Sequence, residues 1–121
     1  MKYIKTFEDI NTAEPEIGDY VIVYDQFTYT SNMIEWKEFM NTHVGRLIRK
    51  RDSDINNTKR LLYDVEYENI PENVKRIIFK YKFDPKTNKA VEKGFNIDEI
   101  VCWSKNKEEL ELKLAANKYN L

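Results

Sequence analysis

One cysteine, one histidine, three glycines and three prolines are all this 121-residue chain holds of the residues that staple, ligate and bend. With Cys102 alone, an intramolecular disulfide framework is impossible, and a reducing cytoplasm is the expected setting. A zinc site asks for four ligands, usually cysteine or histidine, and Cys102 and His43 are the whole supply. The glycines are dispersed at 18, 45 and 94, so there is no glycine-rich phosphate loop. No apolar run approaches the ~18–20 residues of a spanning helix, and Met1-Lys2-Tyr3-Ile4-Lys5 does not lead into a signal peptide. Charge of one sign is lacking too. Twenty Lys and Arg stand against 21 Asp and Glu, a net of −1, which argues against generic attachment to nucleic acid or membrane.

What is present describes a globular chain. Hydrophobic residues make up 41%, and the aromatics are eight Tyr, six Phe and two Trp, enough for one core in one domain. The charge is unevenly placed: residues 1–41 carry a net of −5, residues 42–93 a net of +5, and residues 94–121 a net of −1. Lys, Asn and Ile together supply 39 residues, a bias that fits an AT-rich coding genome better than any structural demand.

The patterning predicts an α+β chain, mainly β. Residues 1–17 read as an extended segment with Tyr3, Ile4, Phe7 and Ile10 as anchors. Gly18-Asp19 turns the chain into Tyr20–Tyr24, a β-branched and aromatic run buried on both faces. Met33, Trp36 and Met40 recur at helical spacing, with Asn32 three before Glu35 as a capping signal, so a short helix is expected near 32–41. Strand character returns at His43–Lys50, where Gly45 marks a bulge or a close approach. Asp52–Thr58 reads as a polar loop. Leu61, Tyr63, Val65 and Tyr67 alternate with Asp64, Glu66 and Glu68, and Ile77, Phe79, Tyr81 and Phe83 alternate again as a long strand at 76–83. Asp84–Lys89 supplies turn chemistry into a strand at 90–96. Ile100–Trp103 is the last strand, followed by a helix over 104–121 whose cap is Asn106 and whose buried face holds Leu110 and Leu114. A small, bent antiparallel sheet over 18–103 that closes into a partly open barrel is the expected architecture.

Gly18-Asp19-Tyr20-Val21-Ile22-Val23 resembles the first strand of SH3-like barrels, the group that includes KOW and Tudor modules. Val44–Ile48 and Tyr63–Tyr67 are similar to their second and third strands. The chain also resembles small proteins of phage and viral-metagenome type through Ile17–Val21, Asn69–Pro71 and Ser104–Leu110. The resemblance covers about half the chain and implies a fold and a mobile-element origin, and no reaction. The 25–42 insertion and the 76–83 strand exceed a minimal barrel of this kind, so no peptide groove or methyl-lysine cage carries over.

Candidate chemistry is sparse. Cys102 sits in Ile100-Val101-Cys102-Trp103, where a small buried residue is expected, and nothing local activates it towards His43. Asp52-Ser53-Asp54-Ile55-Asn56-Asn57 opens like a calcium loop, but Asn57 stands at the glycine position and Tyr63 at the bidentate glutamate position. Glu108 and Glu109 are explained by the helix start. No cofactor, metal or catalytic residue is expected. Arg46, Arg49, Lys50 and Arg51, continued by Lys59 and Arg60, gather at one end of a β-ribbon and suit phosphate or protein contacts. Tyr29, Trp36 and Phe39 are candidate stacking surfaces for unpaired bases. Glu66 and Glu68 compete for the same cations as cross-strand partners. Within the insertion, spacing favours a core role for Trp36 and Met40, while Ile34 and Phe39 are open to a surface role. Leu110, Leu112, Leu114 and Ala115 offer a dimer seam too short for a heptad argument.

The expectation is therefore a non-enzymatic, cytoplasmic protein (host cytoplasm if phage-encoded) that occupies a host protein or ribonucleoprotein. Inhibition of a defence nuclease, in the manner of anti-CRISPR proteins, is its concrete form. The alternative is a direct RNA- or DNA-binding module using the basic hairpin, and neither reading involves a membrane.

Overall fold

The computed structural model describes residues 14–24, 33–55, 58–78 and 82–119. Six strands, Tyr20–Val23 (β1), Gly45–Ile55 (β2), Thr58–Glu68 (β3), Phe83–Asp84 (β4), Lys89–Phe95 (β5) and Ile100–Ser104 (β6), form one sheet in the order β4-β5-β3-β2-β1-β6. All its pairings are antiparallel. Three helices accompany it: Ile34–Thr42 (α1), Glu72–Lys75 (α2) and Lys107–Tyr119 (α3). The α+β, mainly β expectation describes this arrangement. Barrel closure does not: the sheet is open, with two-residue β4 at one edge and β6 at the other. The chain leaves β6 directly into α3, which packs back across β6 and β1.

The Gly18-Asp19 entry is pinned from both sides. Gly18 N–H donates to the Leu47 carbonyl and Leu47 N–H to the Asp19 carbonyl, each at 2.8 Å. The buried Asp19 carboxylate accepts from Glu16 N–H at 2.9 Å and from Lys105 Nζ at 2.8 Å.

One face of the sheet carries Val21, Val23, Leu47, Tyr63, Val65, Tyr67, Ala90 and Phe95, all buried beneath α1 and α2. Each such side chain withdrawn from water contributes about 1.5–3 kcal/mol before entropy is charged against it. Trp36, Phe39 and Met40 of α1 point into this layer at i, i+3, i+4 spacing. The Trp36 ring meets Tyr67 edge-on at 5.7 Å, and Phe39 meets the same ring at 6.0 Å. Gly45 is required beneath them, because a Cβ there would run into Val65 Cγ1 and stand 2.9 Å from the Tyr67 ring. On the opposite face a smaller cluster of Ile22, Cys102 and Leu110, flanked by Tyr20 and Leu114, is covered by α3.

Three local expectations change. The expected cap Asn32 lies outside the described residues; Met33 occupies the α1 cap position without a side-chain hydrogen bond, and Glu35 instead accepts from Asn73 Nδ2 at 2.7 Å. The expected strand over 76–83 is reduced to Phe83–Asp84, with 79–81 outside the described residues. Ahead of it the chain forms the short helix α2 and a turn, in which Val74 and Ile78 are buried and Ile78 N–H donates to the Val74 carbonyl at 3.2 Å. The polar loop at 52–58 is strand for most of its length: the ladder runs out to Asp54↔Lys59 and Ile55↔Thr58. Asn106 does cap α3, its Oδ1 accepting from Glu108 N–H at 3.0 Å, and Ser104 Oγ accepts from Asn106 N–H and donates to Glu109.

Candidate functional site

The β2–β3 ladder is longer than its surroundings. Among the described residues, β1 meets β2 only at Gly45 and Arg46, and β5 meets β3 only between Tyr63 and Glu68. Residues 52–55 and 58–62 therefore stand out beyond the sheet as a two-stranded arm. All six basic residues predicted for the site lie along this ribbon: Arg46, Arg49, Lys50 and Arg51 on β2, Lys59 and Arg60 on β3.

Two irregularities decide which way they point. The register shifts between Leu47 and Arg49, so that Leu47 stays in the core while Arg49 pairs with Asp64 on the other face. Strict alternation from Leu47 would send Arg49 and Arg51 inward. A second shift, between Tyr63 and Val65 on the β5 side, sets Lys93 and Gly94 together opposite the single residue Asp64. Gly94 adopts φ +85°, a conformation glycine accepts readily, and its N–H donates to Asp64 Oδ1 at 3.1 Å.

Asp64 is fully buried at the meeting of these two bulges. Arg51 holds it in a fork, Nε to Oδ2 at 3.0 Å and Nη2 to Oδ1 at 2.9 Å. That hydrogen-bonded fork raises the Arg51 pKa above its ordinary value. Arg49 reaches Oδ2 through Nη1 at 3.4 Å while remaining half-exposed. One buried anion thus orients two guanidinium groups.

Register sorts the remaining charges. Arg51↔Leu62 and Ser53↔Arg60 share the Asp64 side, as does Arg46 opposite Glu66. Lys50↔Tyr63, Asp52↔Leu61 and Asp54↔Lys59 share the other side, which thus holds two ammonium groups and two carboxylates. Among the described residues, Arg46, Lys59 and Arg60 are exposed and have no carboxylate within ion-pair distance. Lys50 sits 5.9 Å over the Tyr63 ring and 3.4 Å from Glu14 Oε1. Tyr63 donates its hydroxyl to Glu14 Oε2 at 3.1 Å; burial first, and the Glu14 bond and charge second, push its ionisation upward. At the root of the arm a groove of about 460 Å³ opens between Arg60, Leu61 and Tyr63 on one side and Asn96, Ile97 and Asp98 on the other.

The expected stacking platform is corrected. Trp36 is completely buried and Phe39 nearly so, Phe39 stacking on Trp36 at 5.9 Å and on the His43 ring at 4.1 Å. Neither ring offers a face to a base, because both are spent on the Tyr67 layer. Ile34 is the apolar residue of α1 left largely exposed, and Tyr29 lies outside the described residues. His43 Nδ1 contacts the Phe39 carbonyl at 2.9 Å on the α1 side, whereas Cys102 is buried beneath α3 with Lys113 Nζ 3.4 Å from its sulfur. The two are on opposite sides of the sheet. Lys82 donates to Glu92 Oε1 at 2.8 Å, and Trp36 Nε1 donates to the same oxygen at 2.7 Å. Among the described residues no His/Cys/Asp/Glu group could hold a metal ion, and no helix is long and apolar enough to cross a membrane.

The role of Asp64 as anchor was not legible in the sequence, where it reads as one of three alternating acids. Its signal would have been the two bulges, whereas the bulge candidate read from the sequence, Gly45, is a close approach to Val65 and Tyr67. No family model, curated protein or solved structure matches this chain.

Proposed function

We propose that the chain is a non-enzymatic binding protein of phage type that occupies a host protein or ribonucleoprotein through the β2–β3 arm. The observation that carries this reading is the arm itself: a ribbon extending past its neighbours, with two arginines oriented by the buried Asp64. Holding a guanidinium in place before contact lowers the ordering cost of binding, and arginine is a residue type that dominates interface energetics. Blocking a defence nuclease is the concrete form of the proposal. The kinship with SH3-like modules enters it through the consecutive antiparallel strands β1, β2 and β3. Direct nucleic-acid binding is the competing reading; the arginines favour it, and the burial of Trp36 and Phe39 takes away two of its three candidate stacking rings.

An affinity pull-down from a bacterial lysate, with and without nuclease, tests the proposal. One stoichiometric protein retained after nuclease supports it and names the target. Recovery dominated by RNA or DNA and lost at moderate salt replaces it with the nucleic-acid reading, since counterion release sets that salt dependence.

A further inference from the structure

We infer that the contact surface is the arginine side of the β2–β3 ribbon, Arg49 and Arg51 at the root of the arm and Arg60 on it, and that the surface it meets is an acidic patch on a protein. The inference rests on the binding-protein reading above and specifies the partner's chemistry.

Charge is segregated between the two sides of the ribbon. Arg49, Arg51 and Arg60 share one side with Asp64, the carboxylate buried beneath the first two. The other side balances Lys50 and Lys59 against Asp52 and Asp54. One side is thus cationic and the other carries no net charge. This segregation is a product of the β2 bulge, which turns Arg49 and Arg51 onto the side that Arg60 reaches by alternation. Successive same-side residues on a strand lie about 7 Å apart, so neighbouring arginines can each engage a separate carboxylate. The geometry of a guanidinium suits bidentate carboxylate contacts, and Arg49, touching Asp64 through Nη1 alone, keeps donors to offer.

A phosphate polymer would meet the same arginines differently. A two-stranded ribbon entering a nucleic-acid groove brings both of its sides near phosphates. Asp52 and Asp54, exposed on the far side, would then face them. They lie within the screening length of about 10 Å and would oppose that approach. A protein patch meets one side only and leaves these aspartates in solvent.

The test uses the full chain, a short glutamate-rich peptide and a DNA duplex of matched total charge, titrated by amide NMR at constant salt. Wild type and Lys50→Ala/Lys59→Ala are expected to bind the peptide alike and more tightly than the duplex. Arg49→Ala/Arg60→Ala is expected to weaken peptide binding about tenfold. Asp64 keeps Arg51 and Gly94 in that variant, so folding is preserved, and Arg60→Ala alone provides a check that touches no ion pair. Equal losses in the two double variants, tighter binding of the duplex, or no peptide binding would each overturn the inference. Repeating the lysate pull-down with the arginine variant separates the two proposals. A protein captured by wild type and equally by the arginine variant overturns the contact side and leaves the binding-protein reading standing.

Discussion

Arg51 grips Asp64 with two nitrogens of its guanidinium, 3.0 and 2.9 Å from the two carboxylate oxygens, and the carboxylate has no exposed surface at all. Removing Arg51 leaves the buried carboxylate with Gly94 N–H and the longer Arg49 contact, whereas removing Asp64 leaves a partly exposed guanidinium. Asp64→Ala and Arg51→Ala should each cost roughly 1–3 kcal/mol. Arg49→Ala should cost less than about 1 kcal/mol, because that partner is half in water and Asp64 keeps its fork. Denaturant midpoints of the three variants check the ordering. Similar losses at Arg49 and Arg51 would show that the fork is not the main support. Exchanging Arg49, Lys50 and Arg51 together for alanine carries the Arg51 cost as well.

Gly45 and Gly94 should both resist replacement by alanine, for different reasons. At Gly45 the added methyl would collide with Val65 and Tyr67, costing roughly 1–3 kcal/mol of overpacking. At Gly94 there is open space, but φ of +85° disfavours any side chain by about 1–2 kcal/mol. Pairing Gly45→Ala with Tyr67→Phe would not rescue it, since the ring and not the hydroxyl is in the way. Thermal melts decide, and an unchanged midpoint for Gly45→Ala would refute the close approach.

Tyr63 predicts alkaline behaviour. Its folded pKa lies above the unfolded value of about 10, so the neutral phenol is the form the fold favours. Its contribution is fully present below pH ~10 and is lost as pH rises through the folded pKa. Phenolate absorbance should therefore show one tyrosine titrating only as the chain unfolds. Tyr63→Phe should remove that delayed step and flatten the loss of stability above pH ~10.

Glu92 ties α1 to β5. A single oxygen accepts from Trp36 Nε1 and Lys82 Nζ, and both charged side chains of that group are mostly buried. Glu92→Ala should destabilise by about 3 kcal/mol, while Glu92→Gln, which retains an acceptor for the indole, should lose less. Equal losses would place the stabilisation in the Lys82 charge pair and not in the Trp36 bond.

The sequence by itself determined the α+β, mainly β class, β1 and its Gly-Asp entry, the core role of Trp36 and Met40, the Asp84–Lys89 turn, and the α3 cap at Asn106. These rest on periodicity and turn chemistry, which act over a few residues and are written in them. It also placed six cations on one ribbon. What only the tertiary structure decided is longer in range. The sheet is open, with β4 and β6 at its edges, an order set by pairing between strands distant along the chain. Ahead of Phe83 the short helix α2 and the turn after it bury Val74 and Ile78, since a segment's period is settled by the surface it has to cover. Above all, the side on which Arg49 and Arg51 emerge depends on one extra residue in β2, and a single-residue slip reverses every side chain beyond it. Such a slip costs little locally and is fixed by Asp64, whose burial is created by strands β2 and β5 arriving from either side.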